Sequence, residues 1–168
     1  MNTKMLARLF ALSGAAICLG AAPVLANANC RHVGGGVLTN FLQPSDQACA
    51  ASFQNLCTDG TATGDLKGSV GVSILGISGN VYHVHHHWVT ESGDTIFLKD
   101  AYLTTYPTSD PNRVLADYLD GVEITGGTGA FDGATGFVPS VFGAGDLSLG
   151  QITLRYAGTV CFAHVPPP

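Results

Sequence analysis

Residues 81–105 read VYHVHHHWVT ESGD TIFLKDAYLTT. Val81 to Thr90 is rich in Val, aromatic and imidazole side chains and contains neither Gly nor Pro. Glu91-Ser92-Gly93-Asp94 interrupts it, and a second β-branched and aromatic run extends from Thr95 to Thr105. Such runs around a short Gly-containing turn predict neighbouring strands. Upstream, Gly34 to Leu42 is a candidate first strand and Leu66 to Ile77 another, ended by the turn Ser78-Gly79-Asn80. Between them, Gln43 to Cys57 offers room for one short helix starting at Pro44-Ser45, and Thr58 to Gly64 reads as a polar turn. Downstream, Tyr106 to Pro111 is a break, followed by runs at Arg113–Thr125, Phe137–Phe142 and Gln151–Phe162. Short strands at this spacing predict an all-β antiparallel barrel or sandwich. A parallel sheet is excluded because the connections leave no room for crossover helices.

The composition agrees. The chain has 168 residues, 22 Gly, 46% hydrophobic and 11% charged residues, and a net charge of −5. That length suits one domain. So many glycines argue against a helical bundle. Twelve acids against seven Lys and Arg argue against a nucleic-acid partner, because phosphate binding needs a basic surface.

Residues 1–28 have the form of a secretory signal. Lys4 and Arg8 precede an apolar run, and Ala26-Asn27-Ala28 has the small-x-small form of a cleavage site. The run falls short of the roughly 20 residues a span needs. The expectation is a secreted or periplasmic domain over 29–162, with no membrane span after cleavage and a Pro-rich tail over 163–168. The mature part would keep Cys30, Cys49, Cys57 and Cys161, an even set suited to an oxidising compartment. Of the three possible pairings, Cys30–Cys161 would tie the first strand to the last and Cys49–Cys57 would close a local loop. A zinc site of four thiolates is the competing arrangement, but no CxxC pair is present.

The stretch GGTGAFDGATG (126–136) is no phosphate loop, since it has no Gly-Lys-Ser/Thr and a strand follows it. It reads as a tight connection with several positive-φ glycines, anchored by Phe131 in the core. This stretch, with SGDTIFLKDAYLTTYP (92–107), ITLRYAGTVCF (152–162) and CTDGTATGDLKG (57–68), resembles secreted bacterial proteins of the allene oxide cyclase and dirigent-like barrel superfamily. The resemblance covers about Cys57 to Phe162. It implies a closed, calycin-like antiparallel barrel of about eight strands with an apolar lumen. It also implies binding, and cyclising, isomerising or coupling, of a small hydrophobic molecule, with no metal or other cofactor. No catalytic carboxylate of those proteins is matched to a position here, so the resemblance carries no residue role.

The chemistry-bearing residues lie in the histidine run. On a strand, His83, His85 and His87 share one face, and Tyr82, Val84, His86 and Trp88 the other. Val81 and Val89 flank the triple-His face, so alternation alone does not say which face is wet. For a lumen site, His85 is the candidate general base, with Asp100 and Tyr102 as catalytic partners. His83, His87 and Tyr118 are the candidate ligand contacts. The alternative is a non-catalytic envelope or extracellular protein in which His83, His85 and His87 bind Zn or Cu. The plain structural alternative is a row of solvated imidazoles. A homo-oligomer is compatible with all of these.

Overall fold

The computed structural model describes residues 29–42 and 47–164. The signal-like segment 1–28, the expected helix start at Pro44-Ser45 and tail residues 165–168 lie outside the described residues.

Ten strands form one antiparallel sheet: β1 (Cys30–Phe41), β2 (Cys57–Ala62), β3 (Gly68–Ser78), β4 (Val81–Thr90), β5 (Thr95–Leu98), β6 (Ala101–Pro107), β7 (Arg113–Asp117), β8 (Val122–Gly127), β9 (Thr135–Asp146) and β10 (Gln151–Cys161). β10 pairs with both β1 and β9, which closes the sheet. β5 and β6 both pair with β4, and β7 and β8 both pair with β9. Each couple is one strand broken midway, so the ten segments fill eight positions of a closed barrel. Helical structure among the described residues is limited to single 3₁₀ turns at Gln47–Cys49, Phe53–Asn55 and Gly129–Phe131.

Two expected elements are corrected. The segment 47–57 forms two isolated turns in place of a helix, and its last residue already belongs to β2. The polar turn expected at Thr58–Gly64 is mostly strand β2, paired on both sides by β1 and β3. Its Gly/Thr composition reflects close packing rather than bending. A Cβ at Gly60 would collide with the Leu38 carbonyl of the neighbouring strand.

Alternation separates the inside of the barrel from the outside. Val33 and Val37 of β1, Val70 and Ile74 of β3, and Val84 and Trp88 of β4 are buried, with Ile124, Leu154, Tyr156 and Val160 facing them from the other strands. Burying each such side chain contributes on the order of 1.5–3 kcal/mol. One extra residue in β3 near Leu75 and one in β9 near Pro139 shift the register. Bulges of this kind bend a strand and increase its twist, which helps a sheet to curl shut.

One end of the barrel is plugged. There Phe131 and Phe162 pack with ring centroids 5.3 Å apart, beside Ala134 and Val160, which are fully buried. Trp88 and Tyr156 meet edge to face at 5.5 Å. The Tyr156 hydroxyl donates to the Thr63 carbonyl at 2.9 Å and accepts from the Leu66 amide at 3.0 Å. Trp88 Nε1 donates to the Leu66 carbonyl at 2.8 Å, which completes the satisfaction of these polar groups.

Both expected disulfides are present. Cys30–Cys161 joins directly opposed residues of β1 and β10, and Cys49–Cys57 closes the loop before β2. They span 131 and 8 residues of sequence. In the chain-entropy model the long loop contributes about 4–5 kcal/mol and the short one about 2–3 kcal/mol. Urea unfolding of the two paired Cys→Ser variants should therefore show the larger loss for Cys30/Cys161; equal losses would contradict it.

Gly129 has φ 55°, as the loop reading requires, and a Cβ there would strike the Asp94 carboxylate. That carboxylate accepts the Ala130 amide at 3.3 Å. Gly129→Val should lower stability by roughly 1–3 kcal/mol from the left-handed backbone alone, with the collision added. A variant that melts like the wild type would contradict this.

Candidate functional site

The lumen holds a cavity of about 170 Å³. Its walls are mainly aliphatic, from Val37, Val70, Val84, Leu103, Ile124, Val141 and Leu154 among others. Among the described residues, no Lys, Arg, Asp or Glu lines it. The half-buried lining residues Phe41, Tyr82, Thr105, Val114 and Ile152 lie at the strand ends opposite the plug, and so mark its open side.

Alternation on β4 puts Tyr82, Val84, His86 and Trp88 on the lumen side. His86 is the imidazole inside the barrel. Its Nε2 and the Tyr118 hydroxyl are hydrogen-bonded at 2.9 Å. Tyr118 sits at the break between β7 and β8, and its amide donates to the Val141 carbonyl at 3.0 Å. Burial drives His86 down from 6.5 to about 4, with the neighbouring His85 adding to the effect. Burial also raises the Tyr118 phenol well above its ordinary value. Both groups are therefore neutral at neutral pH.

Two further polar atoms on lumen-lining residues are unusual. His86 Nδ1 and Thr58 Oγ1 are buried and have no hydrogen-bond partner. An unpaired buried polar atom costs about 1–3 kcal/mol. The two residues belong to one row across the sheet, since Thr58 opposes Val72 and Val72 opposes His86. With one strand between them, their backbones are about 9–10 Å apart.

His83, His85, His87, Asp100 and Tyr102 are on the outside of the barrel, and none of them lines the cavity. Of the residues singled out from the sequence for a lumen site, Tyr118 alone is inside. The outer residues do meet one another. His85 Nδ1 donates to Asp100 Oδ1 at 2.6 Å, and His83 Nε2 lies 3.9 Å from Asp100 Oδ2. His83 stacks on Tyr102 at 4.8 Å, and His85 meets His87 edge to face at 4.9 Å. His87 Nε2 is 3.1 Å from Ser73 Oγ, and partial burial lowers its pKa, with His85 contributing. Among the described residues, no three His, Cys, Asp or Glu side chains are grouped so as to hold a metal ion.

The outer cluster has a structural explanation. β4 pairs with β6 through Val81–Val84 and with β5 through Trp88–Val89, so His85–His87 border the gap at Lys99-Asp100. His85 bridges that gap from outside. His86 bridges to Tyr118, at the break in the next strand position, from inside. Nothing in the sequence marked His86 as the inward group, since Val84 and Trp88 on its face are matched by Val81 and Val89 on the other.

No family model matches the chain, and no curated protein matches it.

The shift of His86 has a consequence for stability. The unfolded chain takes up a proton at this group near 6.5, and the folded chain only near 4. Between those values the unfolded state binds more protons, so stability present above about pH 6.5 is lost as pH falls. For this group the loss by about pH 4 is on the order of 3 kcal/mol. His86→Phe removes it, so urea titrations near neutral pH and near pH 4 should show a smaller acid loss than in the wild type. Identical losses would place the titration elsewhere.

Proposed function

We propose that this protein is an exported barrel that binds one small hydrophobic molecule in its lumen, in the manner of the allene oxide cyclase and dirigent-like proteins. The observation that carries this reading is the apolar cavity of about 170 Å³ with a neutral His86–Tyr118 pair in its wall. Sites for small molecules are typically apolar pockets with a few placed polar groups. A dry apolar cavity of about 150 Å³ admits a benzene-sized ligand, which sets the scale of the occupant. Export is supported by the signal-like segment 1–28 and by the two disulfides, which persist in oxidising compartments.

An enzymatic version would cyclise, isomerise or couple the bound molecule. Catalysis would then rest on holding the substrate in one shape, with His86 and Tyr118 as the available acid–base pair. The outer residues His83, His85, His87, Asp100 and Tyr102 take no part in this reading.

The test is occlusion of the lumen. Val141 lines the cavity and is buried. Adding bulk to a filled core costs about 1–3 kcal/mol, whereas bulk placed in an empty lumen costs less. Val141→Phe should fold with a melting temperature near that of the wild type. A small aromatic hydrocarbon should raise the melting temperature of the wild type by linkage and leave that of the variant unmoved. A ligand response retained in Val141→Phe would place binding outside the lumen.

A further inference from the structure

The outside of the barrel carries an apolar face that lumen binding does not use. We propose that the outer face of β7, β9 and β10 is a docking surface for a second copy of this chain, giving a two-fold dimer centred on Phe142. This is independent of what the lumen holds.

The strand register builds the face. Asp117 of β7 opposes Phe142 of β9, and Phe142 opposes Arg155 of β10, so the three make one outward row with the ring in the middle. Their chain neighbours Ala116, Val141 and Leu154 are buried on the inner side. The next outward row is Leu115, Ala144 and Thr153. Beyond the central row on its other side, Ser140 opposes Ala157, and the chain leaving β7 brings Leu119. Phe142, Leu115 and Leu119 are 53%, 54% and 63% exposed. Tyr106 of β6 opposes Leu115 and extends the patch. Clustered exposed apolar side chains of this size mark an interaction surface.

The charges identify the partner. The described Lys and Arg residues are Arg31, Lys67, Lys99, Arg113 and Arg155. Lys67, Lys99 and Arg113 make ion pairs, and Arg31 lies over the Phe162 ring. Among the described residues Arg155 has no such partner, and Asp117 has no ion pair or side-chain hydrogen bond. The two flank Phe142, two strand spacings or about 9–10 Å apart at the backbone. Their opposite charges are thus offered outward, one on each side of an exposed ring.

A two-fold axis lying along β9 in the plane of contact places the β7 side of one copy over the β10 side of the other. Each Arg155 then faces the partner's Asp117, so the ion pair forms twice. The same rotation sets Phe142 on its own counterpart, Leu115 over the partner's Thr153 and Leu119 over the partner's Ala157. Large side chains therefore meet smaller ones. An axis across the strands would set Arg155 on Arg155 and Asp117 on Asp117, so charge selects one arrangement of the two. A patch complementary to itself under a two-fold rotation is what an isologous contact between identical subunits requires. A central aromatic ring and an Arg are also the residue types enriched in such contacts.

The test is sedimentation velocity over a concentration series, on the purified, disulfide-bonded protein near neutral pH. The wild type should show a monomer–dimer equilibrium. Arg155→Glu and Asp117→Arg should each weaken self-association at least about 10-fold, because like charges then face each other in both contacts. An equimolar mixture of these two variants should dimerise like the wild type. In the mixed dimer the introduced carboxylate meets the introduced guanidinium, and the remaining Asp117 meets the remaining Arg155. Phe142→Ala should weaken association about 10-fold by loss of the central anchor. It introduces no charge, so it decides the matter even where a charge variant fails to fold. A wild type that stays monomeric throughout the series would overturn the proposal. So would folded variants that dimerise like the wild type, or a mixture of folded charge variants that stays monomeric. None of these outcomes bears on ligand binding in the lumen.

Discussion

Closure of the sheet between its first and last strands is the constraint on which the rest of the structure depends. β1 and β10 pair continuously from Cys30 opposite Cys161 to Asn40 opposite Gln151. Once that seam is made, each of the ten described strands has a neighbour on both sides, which removes the usual route to edge-to-edge association along them. Closure also fixes which face of every strand is inside. A disulfide sits at the end of the seam nearest the plug, where fraying of the chain ends would otherwise begin. Gly35 serves the same end of the barrel. A Cβ there would meet the Tyr156 hydroxyl and the Thr63 carbonyl, so a larger residue would push apart the network that seals the floor.

The histidine run lies where this wall is weakest. Two of the eight strand positions are broken, at Lys99-Asp100 and at Tyr118–Gly121, and β4 borders the first break. Adjacent imidazoles on opposite faces serve the two breaks, His85 through Asp100 outside and His86 through Tyr118 inside. The same residue type thereby meets two dielectric environments. Outside, water solvates the imidazole and its carboxylate partner. Inside, the aliphatic wall makes a charged imidazole costly and holds His86 neutral. A neutral imidazole held by Tyr118 is a polar group that an apolar lumen can keep without a counter-ion, and this joins the energetics of the fold to the proposed function.

Much of this was legible in the residues alone, and the misses have physical causes. β4 has the bounds that its composition indicates, because valines and aromatics flank it up to clear turn residues. β2 was hidden because its Gly and Thr residues answer to close strand packing at Gly60, a demand that resembles a turn in composition. The breaks within the runs 95–105 and 113–125 were hidden because strand signals lie on both sides of each. The inward face of β4 was undecidable because Val81 and Val89 share the face of His83, His85 and His87. Only the strands packed opposite settle that Val84, His86 and Trp88 are the buried set.

The sequence by itself determined the all-β class, the antiparallel connections, an even set of four cysteines suited to bridging, and the special backbone at Gly129. These follow from local chemistry: strand propensity, turn residues, the oxidation of paired thiols and the freedom of glycine at positive φ. Tertiary structure alone decided which histidine enters the lumen, how Thr58 and His86 come into one row, and that none of the described residues in the wall around them is a Lys, Arg, Asp or Glu. Those are properties of strands far apart in sequence, and period-two alternation offers two equivalent faces until closure of the barrel makes one of them the inside.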